Sequence, residues 1–202
     1  VVERRYIGGS CPNINCLPTK NEISSAKVAD LTRHAETFGL DAGVVTVDMV
    51  RVRQRKRDMV DYMIDGTRKQ YQNSGAELVM GSGRFVAPRT IEVQLHDGGV
   101  RTLTADRVIL NLGTHGALPT VPGLADAQPM TNIEVLELDY VPAHLIVLGG
   151  GYVGLELGQA YRRFGSRVTI VQHGAQIAAQ EDEDVADELR LLQLRRVATV
   201  PV

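Results

Sequence analysis

The segment from His144 to Gln172 constrains the fold more than any other part of the chain. His144-Leu-Ile-Val-Leu148 is an unbroken apolar stretch of strand length and reads as a buried parallel strand. It runs into Gly149-Gly150-Gly151-Tyr152-Val153-Gly154, which fits G-x-G-x-x-G, with Gly158 four residues beyond. The pattern then predicts a helix over 152–164 and a second strand over 167–171. Each glycine has a mechanical reason. Gly149 permits the tight turn out of the strand, Gly151 lets the backbone approach a pyrophosphate, and Gly154 lets the helix lie close to the strand. The N–H groups at the helix start then face the anion. This unit predicts an α/β fold of Rossmann type that binds a dinucleotide. At the end of the second strand an acid would hold the adenine ribose 2′-hydroxyl; this chain has Gln172, followed by His173. Gln172 hydrogen-bonds a hydroxyl without repelling a phosphate, and His173 is able to meet one. NAD and NADP both stay open, with a slight lean to NAD.

The two cysteines lie together in Gly8-Gly-Ser-Cys11-Pro-Asn-Ile-Asn-Cys16-Leu-Pro-Thr-Lys20. A secreted scaffold spreads several pairs along the chain to staple its loops, so one close pair points to metal or redox chemistry. On a regular helix five residues advance about 7.5 Å. A disulfide wants Cα atoms roughly 4.4–6.8 Å apart. A bridge therefore needs a distorted turn, and Asn15 tolerates the left-handed region such a turn uses. Cys16 falls at the start of the following helix, where the dipole favours a thiolate. A redox dithiol fits best. A zinc site lacks two further ligands, because the five histidines form no matching cluster. Two inert cysteines remain the third reading, in an unusual loop for them.

The rest of the chain supplies context. Ile23, Ala26, Val28, Leu31 and Ala35 predict a helix over about 21–36, with Pro18 near its start. Asp48 as N-cap and Gly75 as stop predict a long helix from near Asp48 to about Asn73, with Val52, Met59, Met63 and Tyr71 on its buried stripe. That helix carries Arg51, Arg53, Arg55, Lys56 and Arg57, read as a solvated face rather than a polyanion patch. Short strands are expected at 78–80, 90–95, 101–104 and 108–112, with His96-Asp97-Gly98-Gly99 as a hairpin turn. The prolines at 119, 122, 129 and 142 mark a connector, and a last helix is expected over 182–196 behind four acids, 181–184. Among 202 residues, 22 basic and 24 acidic side chains leave a net charge of −2, which argues against nucleic acid. No apolar run approaches the roughly 20 residues that span a bilayer. The chain opens without a signal-peptide core, and a cytoplasmic protein is expected.

Gly-Gly-Ser-Cys-x-Asn-x-x-Cys-x-Pro-Thr-Lys closely resembles the redox signature of the class I pyridine nucleotide-disulfide oxidoreductases. Dihydrolipoamide dehydrogenase and mercuric reductase belong to that family. Gly149-Gly-Gly-Tyr-Val-Gly-Leu-Glu156 and Asn111-Leu-Gly-Thr-His-Gly-Ala-Leu-Pro119-Thr-Val-Pro-Gly123 match it too, so the resemblance runs from Ile7 to about Leu192. It implies FAD and NAD(P) as cofactors, with a partial FAD-binding domain over 1–120 and a partial NAD(P)-binding domain over 121–202. Hydride would pass to the flavin, electrons to a Cys11–Cys16 disulfide, and then to a small-molecule disulfide or a metal ion. By the same resemblance Cys16 faces the flavin and Cys11 exchanges with substrate. Lys20 sits near the flavin, paired with Glu156. Gly83 and Gly113 lie against FAD, and Tyr152 covers the nicotinamide pocket.

Departures accompany the match. Asn15 stands where the family usually has Gly, Pro12 follows the first cysteine, and Leu112 replaces a common Thr. Family members run to about twice this length. The chain is therefore expected to be the central part of a homodimeric enzyme and inactive alone. The first flavin loop and the C-terminal dimerisation domain would lie outside it. The rival expectation is a non-catalytic dinucleotide-binding fragment.

Overall fold

The parallel strand pair predicted around the glycine loop organises the C-terminal half. In a computed structural model that describes residues 1–194 and 198–201, β5 (His144–Leu148) leads into α5 (Tyr152–Phe164) and then β6 (Arg167–Gln172). The strands β5, β6 and β7 (Ala198–Pro201) form one parallel sheet in that order, with Leu145 opposite Val168 and Val147 opposite Ile170. The helix α6 (Glu183–Leu194) carries Glu183 and Asp184 in its first turn. Residues 195 and 196 of the helix expected there lie outside the described residues.

The N-terminal half supplies a second sheet and three helices. The short strand β1 (Val2–Glu3) pairs in parallel with β2 (Val79–Ala87), which continues as an antiparallel meander through β3 (Thr90–Leu95) and β4 (Val100–Thr104). The turn over 96–99 joins β3 to β4, as expected. The strand β2 runs well beyond the predicted Met80, because its glycines belong to the ladder. A Cβ on Gly81 would lie 2.4 Å from the Gln94 carbonyl oxygen, so only glycine lets β3 come that close. The strand expected at 108–112 is absent. That segment has no regular structure, with Ile109 90% and Leu112 88% exposed. An apolar run becomes a strand only where a neighbour takes up its backbone hydrogen bonds, and none among the described residues does.

Two helices begin at the cysteines. The short α1 (Ser10–Ile14) carries Cys11, and α2 (Cys16–Arg33) opens on Cys16, five residues earlier than periodicity suggested. The buried side of α2 is Pro18, Thr19, Glu22, Ala26 and Ala29, whereas Val28 and Leu31 face out. The helix α3 (Met49–Ser74) has the predicted caps. The Asp48 carboxylate accepts from the Arg51 N–H at 3.1 Å, and Gly75 closes the helix at φ +73°.

The basic block on α3 is a solvated face only in part: Arg51 is 89% exposed beside Asp48, and Arg55 and Arg57 are exposed, but all of them have partners and Lys56 is buried. Lys56 is 3% exposed and donates to the Leu136 carbonyl and to the Glu137 carboxylate. Arg57 donates to the other Glu137 oxygen, Arg53 to the Glu137 carbonyl at 3.0 Å, and Arg55 to Asn21 Oδ1 at 2.7 Å. Arg55 ties α3 to α2, and Arg53, Lys56 and Arg57 clamp it to the connector after the small helix α4 (Asn132–Val135). Composition alone could not show this, because the acceptors lie some 80 residues away.

Beneath the clamp, α5 lies between its sheet and α2. Tyr161 and Phe164 meet edge to face with centroids 5.8 Å apart, and the Tyr161 hydroxyl donates to the Val135 carbonyl at 2.8 Å. Glu22 is 1% exposed beside Tyr161, and its Oε1 has no hydrogen-bond partner. Burial pushes its carboxyl up to about 7, against relief from Tyr161 and Lys56. The folded state thus keeps a proton that the unfolded chain gives up near 4.5. Stability from this group is whole below about pH 4.5 and is lost as pH rises towards 7, by about 3 kcal/mol in all. Urea unfolding at pH 5 and pH 8 should show Glu22→Gln gaining on the parent protein at the higher pH. Parallel profiles would count against the assignment.

Candidate functional site

The cysteine turn is held by its neighbours rather than by a bridge. Asn13 Nδ2 donates to the Ile7 carbonyl at 2.9 Å and to the Gly9 carbonyl at 2.7 Å, which fixes the loop ahead of α1. Asn132 Nδ2 donates to the Ile14 carbonyl at 2.8 Å and ties the turn to α4. Asn15 links α1 to α2 at φ −133°, so the break between the helices does not use the left-handed region expected of it. Both thiols are free and exposed. They lie within hydrogen-bond reach of each other: the bond to Cys16 is the main cause holding Cys11 above the ordinary thiol value, against a smaller pull from the Leu17 backbone. Among the described residues no group of three or more metal-ligating side chains converges.

One turn further along α2, Lys20 donates to Glu156 on α5 in the pairing expected for them. Each is the fifth residue of its helix. At the far end, Arg33 donates to the Arg163 and Phe164 carbonyls that close α5. The two helices therefore run in the same sense. Their positive ends, one bearing Cys16 and the other the glycine loop, lie at one end of the pair.

The glycine loop has the geometry its spacing predicts. Gly149 sits at φ +106°. A Cβ on Gly154 would stand 2.5 Å from the Gly149 carbonyl oxygen and 2.9 Å from Val147 Cγ1, so the helix approaches its strand only through glycine. A Cβ on Gly151 would meet nothing within 4 Å, and α5 has no side-chain cap. The cradle for an anion is thus open at Gly151 and Val153, and these residues fit a dinucleotide pyrophosphate. Tyr152 is 60% exposed, its hydroxyl 3.4 Å from Gln180 Oε1.

Gln172 is committed to the loop. Its Oε1 accepts the Gly150 N–H at 2.6 Å, and its Nε2 donates to the carbonyls of His173 and Gln176 at 2.9 and 3.1 Å. The segment after it folds back over the loop, with the Ala178 N–H on the Gly150 carbonyl at 2.8 Å and Ile177 against Gly150. Spacing alone did not reveal this cover.

The flavin-side residues are less assembled. Gly83 lies within β2 opposite Val93, and a Cβ there would stand 3.1 Å from Ile91 Cγ2. Gly113 sits at φ +69° in the irregular stretch. The described residues form a single strand–glycine–helix cradle, the one at Gly149–Gly154.

The family described as pyridine nucleotide-disulphide oxidoreductase matches residues 1–196, and the chain belongs to it. The dihydrolipoyl dehydrogenase of Mycoplasma pneumoniae is 32% identical over 99% of this chain and 44% of its own length. The mercuric reductase of Bacillus cereus is 31% identical over 94% of this chain and 29% of its own. Among solved structures, LpdA of Mycobacterium tuberculosis superposes with TM-score 0.83 at 26% identity, covering 100% of this chain and 44% of that one. The HOCl-induced flavoprotein disulfide reductase RclA of Escherichia coli gives 0.80 at 25%, covering 99% and 42%. The chain thus spans less than half the length of these relatives, and its α/β architecture is the Rossmann-like fold of disulfide reductases.

Two glycine variants separate folding from binding. Gly151→Ala should keep its melting temperature and lose dinucleotide affinity in calorimetric titration. Gly154→Ala should melt well below the parent. Equal melting of the two would contradict the close-approach role of Gly154.

Proposed function

We propose that the whole protein is an FAD-dependent NAD(P)H:disulfide oxidoreductase. Residues 1–120 would give the flavin side and the cysteine pair, and residues 121–202 the dinucleotide side. The observation that carries the reading is the Lys20–Glu156 pairing, which sets the start of the cysteine helix beside the start of the glycine-loop helix. The names of the relatives support a small-molecule disulfide or a metal ion as substrate. A cytoplasmic homodimer belongs to the same proposal.

When bound, FAD supplies the two-electron relay between dinucleotide and disulfide. The remaining roles fall to residues of this chain. The first turn of α5 holds the pyrophosphate and leaves Tyr152 at the mouth of the site. Glu156 holds Lys20 beside the first turn of α2, the turn that begins at Cys16. Two electrons and two protons turn a Cys11–Cys16 disulfide into two thiols. Cys11, as thiolate, then attacks one sulfur of a substrate disulfide. A mixed disulfide forms, and the other substrate sulfur leaves and takes a proton. Cys16 attacks the Cys11 sulfur, restores the internal disulfide and releases the second substrate thiol.

One observation favours a narrower reading for these 202 residues taken alone. The described residues form one anion cradle, so by themselves they would bind a dinucleotide without turnover.

Thiol variants of the whole flavin-loaded protein test the main reading. Cys11→Ser should retain a long-wavelength thiolate band and lose at least about a thousandfold in disulfide reductase turnover, about 4 kcal/mol. Cys16→Ser should lose both. Undiminished turnover in Cys11→Ser would end the redox assignment.

A further inference from the structure

Gln172 was expected to hydrogen-bond a ribose hydroxyl without repelling a phosphate. The structure leaves it only an acceptor. A glutamine amide has two N–H donors and a carbonyl oxygen with two lone pairs. Both donors are spent, on the carbonyls of His173 and Gln176. One lone pair is spent on the Gly150 N–H. Turning the amide over would set its NH2 group against the Gly150 N–H and its oxygen against two carbonyls, so three contacts together determine the orientation. What remains is one lone pair beside the cradle.

We propose that Gln172 selects a nicotinamide dinucleotide without a 2′-phosphate, because its pinned amide leaves the ribose only an acceptor. The proposal rests on the reading of Gly149–Gly154 as a dinucleotide cradle. A 2′-hydroxyl donates to the free lone pair. A 2′-phosphate dianion has no proton to give, meets that lone pair as a repulsion, and finds no donor on Gln172 to repay its lost hydration.

The surroundings act in the same sense. Between Gln172 and Arg190 the chain has no Lys or Arg, and residues 181–184 are all acidic. Gln176 Nε2 donates to the Glu181 carbonyl at 2.9 Å, which ties the start of that acidic run to the loop. His173 is the one basic side chain in the interval; it is exposed, and its backbone carbonyl is what touches Gln172. Gly150 makes the arrangement possible, since a Cβ there would lie 3.1 Å from Gln172 Oε1 and 2.9 Å from Ile177 Cγ2.

Calorimetric titration of the whole protein with ADP-ribose and with 2′-phospho-ADP-ribose tests this without turnover. The unphosphorylated ligand should bind at least tenfold more tightly, and His173→Ala should keep that preference. Gln172→Glu keeps an acceptor and adds charge, so its preference should widen by a further factor of ten or more. Gln172→Met removes every polar group; both ligands should weaken and the gap should fall below threefold. Equal or tighter binding of the phosphorylated ligand by the parent protein overturns the selection and leaves the cradle standing. Failure of both ligands to bind overturns the selection and the cradle together.

Discussion

The packing of α2 against α5 is the contact on which the rest of the structure depends. It joins residues more than 130 positions apart and aligns two helices in the same sense. Ala26 and Ala29 are small enough to let α5 approach, and Ala26 shares one buried cluster with Leu157, Ala160, Tyr161 and Phe164. Both ends of the contact are tied by charge. Lys20 meets Glu156 near the helix starts, while Arg33 takes up the free carbonyls at the end of α5, where a cation also complements the dipole. Arg163 and Asp30 add an ion pair at 3.4 Å. Two like helix dipoles lying side by side repel one another. The apolar seam and the end ties hold them, and the result is a concentration of positive potential beside Cys16 and the glycine loop.

Polar groups buried near this seam are compensated unevenly. Lys56 donates to Leu136 and Glu137, and against burial the hydrogen bonds and charges of Lys56 and Arg57 keep the Glu137 carboxyl below its usual value. Removing Glu137 would leave the buried Lys56 ammonium without its counter-charge. Glu22 is the weak member. It stands on the α2 stripe with Thr19, Ala26 and Ala29, where an apolar side chain would carry no penalty, and one of its oxygens goes without a partner. The helix that opens on Cys16 is therefore seated on a buried titratable group.

Local chemistry was legible in the sequence wherever the physical demand was local. The Asp48 and Gly75 caps bounded α3 closely, because a cap satisfies backbone groups within one turn. The glycine loop announced its strand, turn and helix because Gly149 needs a positive φ and Gly154 needs a missing Cβ, and both needs exclude other residue types. The cysteine pair and Lys20 carried the family resemblance in a single short stretch. Reading failed where the answer depended on what lay opposite. The run at 108–112 looks like a strand but finds no neighbour, Asn15 turns the chain without the left-handed region, and the basic block on α3 finds carbonyls and carboxylates in the connector.

The sequence alone determined the α/β class, the cradle and the cysteine turn, because turns, caps and close backbone approaches are satisfied within a few residues of themselves. Only the tertiary structure decided which polar groups are spent and which are free. Gln172 reads as a versatile ribose contact until Gly150, His173 and Gln176 are seen to consume three of its four hydrogen-bonding sites. Nothing in the sequence marks Glu22 as buried; α5 closing over it does that. A side chain's chemistry is set by its unsatisfied remainder, and that remainder exists only once the partners are in place.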